Sequence, residues 1–151
     1  MIRIGLDSNV LAYLAGVDRS PDDGAKVQVA RAWLAALKDR AQIVAPTQTL
    51  GELFTVLVRA GATRDEARTL ALRFRGAFEI IDCGAVAMSA AFDLAVAHRL
   101  PLWDSLIISA AADAGCQFLL SEDMQDGFAW RGLTLINPFA GTLDTGLARI
   151  F

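Results

Sequence analysis

Five short runs of apolar residues punctuate the chain, and each run predicts a β-strand. They cover residues 2–6, 42–45, 78–81, 117–120 and 133–136. Runs this short and this apolar are typical of strands that are buried on both faces. Strands of that kind form parallel sheets with helices packed on each side. The pattern therefore predicts an α/β fold class.

The segments between the runs carry apolar residues at helical spacing and predict helices. These helices cover residues 21–40, 47–60, 63–75, 85–99 and 104–114. Thr63 and Glu66 have the spacing of a capping box, and Pro101 separates the last two helices. We expect Trp103 to tie the start of the last helix to the core. From Asn137 onward the mixed composition predicts no element.

Length and composition predict one domain with some apolar surface to spare. The chain has 151 residues, of which 54% are hydrophobic. This share exceeds the usual ~45–50%, which suggests a filled core and an apolar surface for a partner. We assign residues 1–139 to the domain and 140–151 to its C-terminal tail. No apolar run approaches the roughly 18 residues of a membrane span, and no signal-peptide layout opens the chain. We therefore expect a cytoplasmic protein without membrane contact.

Cysteine and histidine usage excludes several classes of site. The two cysteines, Cys83 and Cys116, and the one histidine, His98, are too few and too far apart for a zinc enzyme. We expect both thiols to stay reduced in the cytoplasm. His98 ends a predicted helix, where a cation suits the dipole, and no G-x-S-x-G turn exists to complete a Ser-His-Asp triad. Glycine-rich nucleotide-binding strings are also absent from the sequence.

The charge of the chain is acidic overall but basic in one segment. The net charge is −3 and the pI is about 5.0, which argues against a basic nucleic-acid-binding domain. Residues 59–75, however, contain five arginines against Asp65 and Glu66. This segment, with Arg64 and Arg68 one helical turn apart, is the best candidate for contacts with a phosphate backbone, although a solvated helix face explains it as well.

Carboxylates recur where ligands bind in an open parallel sheet, beyond the carboxyl ends of the strands. Asp7 follows the first strand, Ser121-Glu122-Asp123 follows the fourth, and Asp104 opens a helix. No histidine or cysteine accompanies these acids. Hard oxygen ligands of this kind suit Mg²⁺ or Mn²⁺.

Each acid also has an ordinary structural explanation. Asp7 and Asp104 stand where helices begin, so capping alone explains either one, and Asp104 also suits the dipole of its helix. Glu52 lies opposite the apolar stripe of its helix, which favours a solvated face, yet it has no cation three or four residues away. Asp123 fits an acidic turn, and Asp126-Gly127 is a turn signal in its own right.

The order of these acids resembles the PIN-domain ribonuclease family. The resemblance is carried by Leu6-Asp7-Ser8-Asn9, Gly51-Glu52, Trp103-Asp104-Ser105-Leu106-Ile107 and residues 119–127. The closing Ile136-Asn137-Pro138-Phe139 is similar to the bacterial branch of VapC-type toxins. Together these strings span about residues 1–139. Each is short, but the ordered set is more specific than any one of them.

The resemblance implies a three-layer α/β/α domain with a five-stranded parallel sheet. It also implies a Mg²⁺- or Mn²⁺-dependent endoribonuclease that acts on tRNA or mRNA, forms homodimers and is inhibited by a VapB-type antitoxin. Matched position by position, it gives Asp7, Glu52, Asp104 and Asp123 as the acids of the active site, of which Asp7, Asp104 and Asp123 bind the metal. Asn9, Ser121 and Asp126 are supporting polar residues. The last motif is unusually acidic, which leaves open whether Glu122, Asp123 or Asp126 faces the metal.

Two other functions remain open at this point. A phosphatase of the haloacid-dehalogenase type would use Asp7 as nucleophile, but it would need a second aspartate at position 9, where this chain has Asn9. A non-catalytic PIN-like module that binds RNA or protein is the alternative from a different class, and the presence of all four acids disfavours it. Metal-dependent cleavage of RNA separates the three hypotheses.

Overall fold

A mostly parallel sheet lies between two layers of helices in the computed structural model, which describes residues 1–18 and 20–151. The strands are β1 (Ile2–Leu6), β2 (Ala41–Pro46), β3 (Glu79–Ile81), β4 (Phe118–Leu120), β5 (Ala129–Trp130) and β6 (Leu133–Ile136). The helices are α1 (Ser8–Leu14), α2 (Asp23–Leu37), α3 (Thr47–Arg59), α4 (Arg64–Ala77), α5 (Ala85–His98), α6 (Leu102–Asp113) and α7 (Leu143–Ala148).

The strand order places a topological switch point at the centre of the sheet. The order is β3-β2-β1-β4-β6-β5, and all neighbours are parallel except β5 and β6. From β1 the chain moves to β2 on one side, whereas β4 pairs with β1 on the other, with Leu6 opposite Leu120. Side chains that follow these two residues therefore emerge next to each other, where ligands bind in such sheets.

Successive residues of the central strands face opposite layers, as the pleat requires. Ile43, Ala45 and Leu120 pack in one core cluster with α1, α2 and α3. Their neighbours Val44 and Leu119 pack in a second cluster with α5 and α6. Both faces of the sheet are thus buried, which confirms the three-layer architecture.

The structure corrects the expected elements in several places. The sheet has six strands, because the two-residue β5 pairs antiparallel with the edge strand β6. The tail, for which no element was predicted, forms α7. The second helix begins at Asp23 and ends at Leu37, inside the predicted bounds of 21–40. The expected capping box at Thr63 and Glu66 is confirmed, with hydrogen bonds of 3.1 and 3.2 Å.

The C-terminal tail packs on the domain through Trp33 of α2. The Trp33 side chain is buried and its Nε1 donates a hydrogen bond of 3.0 Å to the carbonyl oxygen of Pro138. Gly146 of α7 lies against the same indole, so close that a Cβ there would overlap Trp33 Cζ2. No helix among the described residues is long and apolar enough to cross a bilayer.

Candidate active site

Asp7 is a buried acid held by both strands of the switch point. Its side chain is almost inaccessible, with 4% relative exposure of the residue. Oδ1 accepts a hydrogen bond of 2.7 Å from the backbone N–H of Ser8, and Oδ2 accepts one of 2.7 Å from Ser121 Oγ. Asp7 is therefore the cap of α1, as expected for a structural role, and it is also fixed to the residue that follows β4. Ser121, which was expected as a supporting polar residue, lies beside this acid.

Glu52 faces Asp7 across the end of the sheet rather than lying on a solvated helix face. Its Oε2 accepts a hydrogen bond of 2.8 Å from Ser8 Oγ, and its Oε1 accepts one of 3.0 Å from Gln48 Nε2. The expectation of a solvated face is thus wrong. Helical spacing shows on which side of α3 Glu52 lies. It does not show that α1 packs against that side. Sequence reasoning missed Ser8 and Gln48, which carry no chemical signature of their own.

Asp104 is a half-buried residue in the first turn of α6 and does not cap it. The helix begins at Leu102 after Pro101, and no side chain caps it. The capping explanation for Asp104 is therefore wrong. The expectation for Trp103 is also wrong, because this side chain is 52% exposed and lines a surface cavity instead of the core. Leu106, Ile107 and Ile108, which follow Asp104, are buried in the core as expected.

The acidic motif after β4 divides into three side chains with different surroundings. Glu122 Oε1 accepts hydrogen bonds from Tyr13 Oη (3.1 Å) and Lys26 Nζ (3.2 Å). Asp126 forms an ion pair of 3.0 Å with Arg149 and accepts a bond from the N–H of Asn137. Asp123 is exposed and has no such cationic partner among the described residues.

Asp123 is the member of this motif that acts on the acid cluster. Its charge is one cause of the raised pKa of Asp104, after burial and the charge of Glu52. The pKa of Asp126, in contrast, is lowered. Burial raises this pKa, but the hydrogen bond from Asn137 and the charge of Arg149 together outweigh burial. Asn9 contacts the acidic motif directly: its Oδ1 accepts a hydrogen bond of 3.3 Å from the backbone N–H of Glu122.

Mutual repulsion links the four predicted acids. The pKa of Asp7 is raised to about 6, chiefly by burial; the bonds from Ser121 and Ser8 oppose this rise, and the charges of Glu52 and Asp104 contribute to it. The pKa of Asp104 is raised in the same way by burial and by two neighbouring acids. A nearby cation would stabilise the ionised form of such a cluster, because it offsets the repulsion between the carboxylates.

A cavity of about 640 Å³ opens beside this cluster, between α3 and the start of α6. Ser8 and Glu52 lie at one end, and Arg59 is part of the wall. Arg64 and Arg68 do not line the cavity: both are exposed on α4, and Arg68 is paired with Asp65 at 2.8 Å. Arg59 belongs to the basic segment singled out from the sequence, so that segment does reach the cavity through its first arginine.

The donors in the site fit Mg²⁺ or Mn²⁺ by their chemistry. They are carboxylates and a hydroxyl, without nitrogen or sulfur, and they repel one another in the absence of a cation. Among the described residues, no three His, Cys, Asp or Glu side chains form a group that could hold an ion by themselves. Magnesium commonly needs only one or two carboxylates and keeps several waters, so a closed cage is not required.

Comparison with known proteins gives a consistent relationship. The PIN domain family model matches residues 4–128. The chain is also similar to VapBC2 of Rickettsia felis bound to a DNA fragment from its promoter, with 19% identity and a TM-score of 0.61 over 81% of this chain and 89% of that one. VapC20 of Mycobacterium tuberculosis, a sarcin–ricin loop cleaving toxin, is 18% identical with a TM-score of 0.63 over 77% of this chain and 86% of that one. A toxin–antitoxin complex from Klebsiella pneumoniae is 19% identical with a TM-score of 0.63 over 90% of this chain and 98% of that one. No curated protein matched the sequence.

Proposed function

The chain belongs to the PIN domain family, and from that premise we propose that it is a metal-dependent endoribonuclease that serves as the toxin of a toxin–antitoxin pair. The observation that carries the proposal is the convergence of Asp7, Glu52, Asp104 and Asp123, whose charges raise the pKa of two of them. A phosphatase of the haloacid-dehalogenase type gains no support from the family match.

Asp7, Asp104 and Asp123 would hold Mg²⁺ or Mn²⁺ jointly with bound water, with one or two of the carboxylates in direct contact with the ion. When bound, such an ion would offset the charge of the acids and stabilise the negative charge that develops on the phosphate. Ser121 Oγ and the Ser8 N–H keep the Asp7 carboxylate in one orientation. Asp7 therefore needs little reorganisation when the charge in the site changes.

Glu52 would act as the base that takes a proton from the attacking water. Ser8 and Gln48 hold its carboxylate at the end of the cavity. Its carboxylate stays open to the cavity, where substrate and water would enter. Arg59 on the same wall supplies the positive charge that an RNA backbone needs near so many acids.

We further propose two protein partners, a second copy of the chain and an antitoxin of the VapB type. The antitoxin is supported by the similarity to the Rickettsia felis and Klebsiella pneumoniae complexes. The second copy is supported by the exposed apolar side chains of α5: Val86, Phe92 and Val96. An antitoxin would block the site by placing a cation, most simply an arginine, among the carboxylates.

The test is incubation of purified protein with a mixture of tRNA, mRNA and ribosomal RNA. We expect cleavage with Mg²⁺ or Mn²⁺, none with chelator, and recovery when the ion is added back. Asp104→Asn should abolish cleavage because a neutral amide binds a cation poorly. Asp93→Asn, which changes an exposed acid on α5, is the matched control and should cleave like the wild type. Cleavage by rigorously metal-free protein would contradict the proposal, and binding without any cleavage would favour a non-catalytic module.

A further inference from the structure

The cavity beside the acids has one apolar wall that the proposed chemistry leaves without a role. Trp103 and Met88 lie on this wall, opposite Gly51 and Arg59 of α3. Its volume of about 640 Å³ falls in the range of ligand sites, roughly 300–1,000 Å³. Of the four acids of the proposed active site, Glu52 lines this cavity, whereas Asp7, Asp104 and Asp123 do not.

Trp103 presents an open aromatic face next to the acid cluster. It immediately precedes Asp104, and 52% of its surface is exposed. Among the described residues, no cation or second ring packs on its indole, whereas Arg131 covers Trp130 at 4.3 Å. A large exposed indole in a cavity is costly in water, and a flat apolar ligand would cover it.

Gly51 is a second independent sign that this space is kept open. It lies in the middle of α3, where glycine costs roughly 0.5–1 kcal/mol relative to alanine. A Cβ at Gly51 would meet nothing within 4 Å, so no close packing demands the glycine. Its backbone is not in the left-handed region either. Gly51 lines the cavity, so a larger side chain at this position would narrow the space beside Glu52.

We propose that this cavity binds an unpaired nucleotide of the RNA substrate next to the cleaved phosphate, with its base stacked on Trp103 and with Gly51 leaving room for it. The proposal rests on the proposed ribonuclease function and adds to it a residue that would position the substrate, Trp103. A base can stack on a side chain only when it is splayed out of a helix. Arg59 on the facing wall contacts the backbone of the same nucleotide.

Binding is measured without cleavage, in chelator and low salt, with a fluorescently labelled ten-nucleotide oligoadenylate. We expect the oligonucleotide to bind and to quench tryptophan fluorescence, and a duplex of the same length to compete poorly. Trp103→Leu should weaken binding about tenfold or more, as loss of one stacked base does. Trp103→Phe should keep most of the affinity but lose the quenching. Phe151→Leu, at an exposed aromatic residue that does not line the cavity, is the control and should bind like the wild type.

Gly51 is tested by filling the cavity without disturbing the core. Gly51→Leu should leave the melting temperature unchanged or raised, yet weaken oligonucleotide binding about as much as Trp103→Leu. Gly76→Leu is the matched control, because Gly76 is also a helical glycine whose Cβ would meet nothing, and it lies on α4 away from the cavity. It should raise the melting temperature without changing affinity.

The outcomes separate this inference from the proposed function. Wild-type affinity in Trp103→Leu or Gly51→Leu, or no quenching at millimolar oligonucleotide, overturns the stacking site even if the protein cleaves RNA. Quenching that depends on Trp103, in a protein that cleaves no RNA with metal, supports the stacking site and rejects the ribonuclease.

Discussion

Asp7 combines two roles at the level of a single residue. It caps α1 and it is the most deeply buried acid of the cluster. The two roles differ in the charge that they require. A cap needs only a hydrogen-bond acceptor, whereas a metal ligand needs the charged carboxylate. Burial raises the pKa of Asp7 to about 6 from an ordinary value of 3.8, so its ionisation at neutral pH weakens the fold.

We expect Asp7→Asn to be more stable than the wild type at pH 7, by up to about 3 kcal/mol, because the amide still caps the helix and carries no charge. The penalty from ionised Asp7 is absent below about pH 4, grows between pH 4 and 6, and is complete above pH 6. The advantage of the variant in urea unfolding should therefore vanish near pH 4. An equal gain in stability of Asp7→Asn over the wild type at pH 7 and at pH 4 would show that the charge of Asp7 is not the cause.

The arginines of the basic segment should differ in their effect on RNA binding. Arg59 lines the cavity, whereas Arg68 is paired with Asp65 on an exposed surface. Arg59→Ala should lower affinity and reduce the slope of log K against log salt by about 0.7, as expected for one phosphate contact on a single strand. Arg64→Ala with Arg68→Ala tests the expectation from the sequence. A larger change in the double variant would place the RNA backbone along α4.

At the level of elements, α7 packs the tail against the domain, and its closest approach is that of Gly146 to Trp33. Gly146 leaves space for the Trp33 ring, and Trp33 in turn bonds to the carbonyl of Pro138. The segment 140–151 is therefore part of the folded core rather than an appendage. Its signal in the sequence is weak because α7 spans only six residues and its packing partner lies on α2.

We expect Gly146→Ala to destabilise the protein by about 1–3 kcal/mol, since the added methyl group would overlap the Trp33 ring. The intrinsic preference of alanine for helices would offset only part of this loss. Gly76→Ala, at an open helical position, should instead stabilise the protein by roughly 0.5–1 kcal/mol. Urea unfolding of both variants measures the difference. Equal effects would mean that α7 does not pack on α2 in solution.

On the scale of the whole molecule, the outer face of α5 is the strongest candidate for contact with a second copy. Val86, Phe92 and Val96 are 75%, 53% and 82% exposed and lie on one side of this helix. Together they concentrate exposed apolar surface on a chain whose hydrophobic content is already high.

We expect the purified protein to be a dimer by light scattering at micromolar concentration. Val86→Lys with Val96→Lys should shift it to a monomer, because two buried charges without partners would oppose association. Leu72→Lys changes an equally exposed apolar residue on α4 and should leave the dimer intact. A monomeric wild type would contradict the dimer, and loss of the dimer only in Leu72→Lys would move the interface to α4.

The sequence by itself determined the features that depend on nearby residues. The apolar runs, the capping box at Thr63 and the polar groups after β1 and β4 are local signals, and each acts within a turn or a strand. They sufficed for the α/β class, the five parallel strands and the order of the acids. The short elements β5 and α7 were not predicted from the sequence, because two and six residues are too few to show a periodic pattern.

Only the tertiary structure decided which of these groups meet. Ser121 reaches Asp7 across 114 positions of the chain because β1 and β4 are neighbours in the sheet. The same packing turns Glu52 toward Ser8, and it leaves Asp123 with the cluster while Asp126 pairs with Arg149. Such contacts depend on strand order and on the packing of helices, which residue spacing does not encode. The position of a functional side chain along an element is thus local information, whereas its partners are a property of the fold.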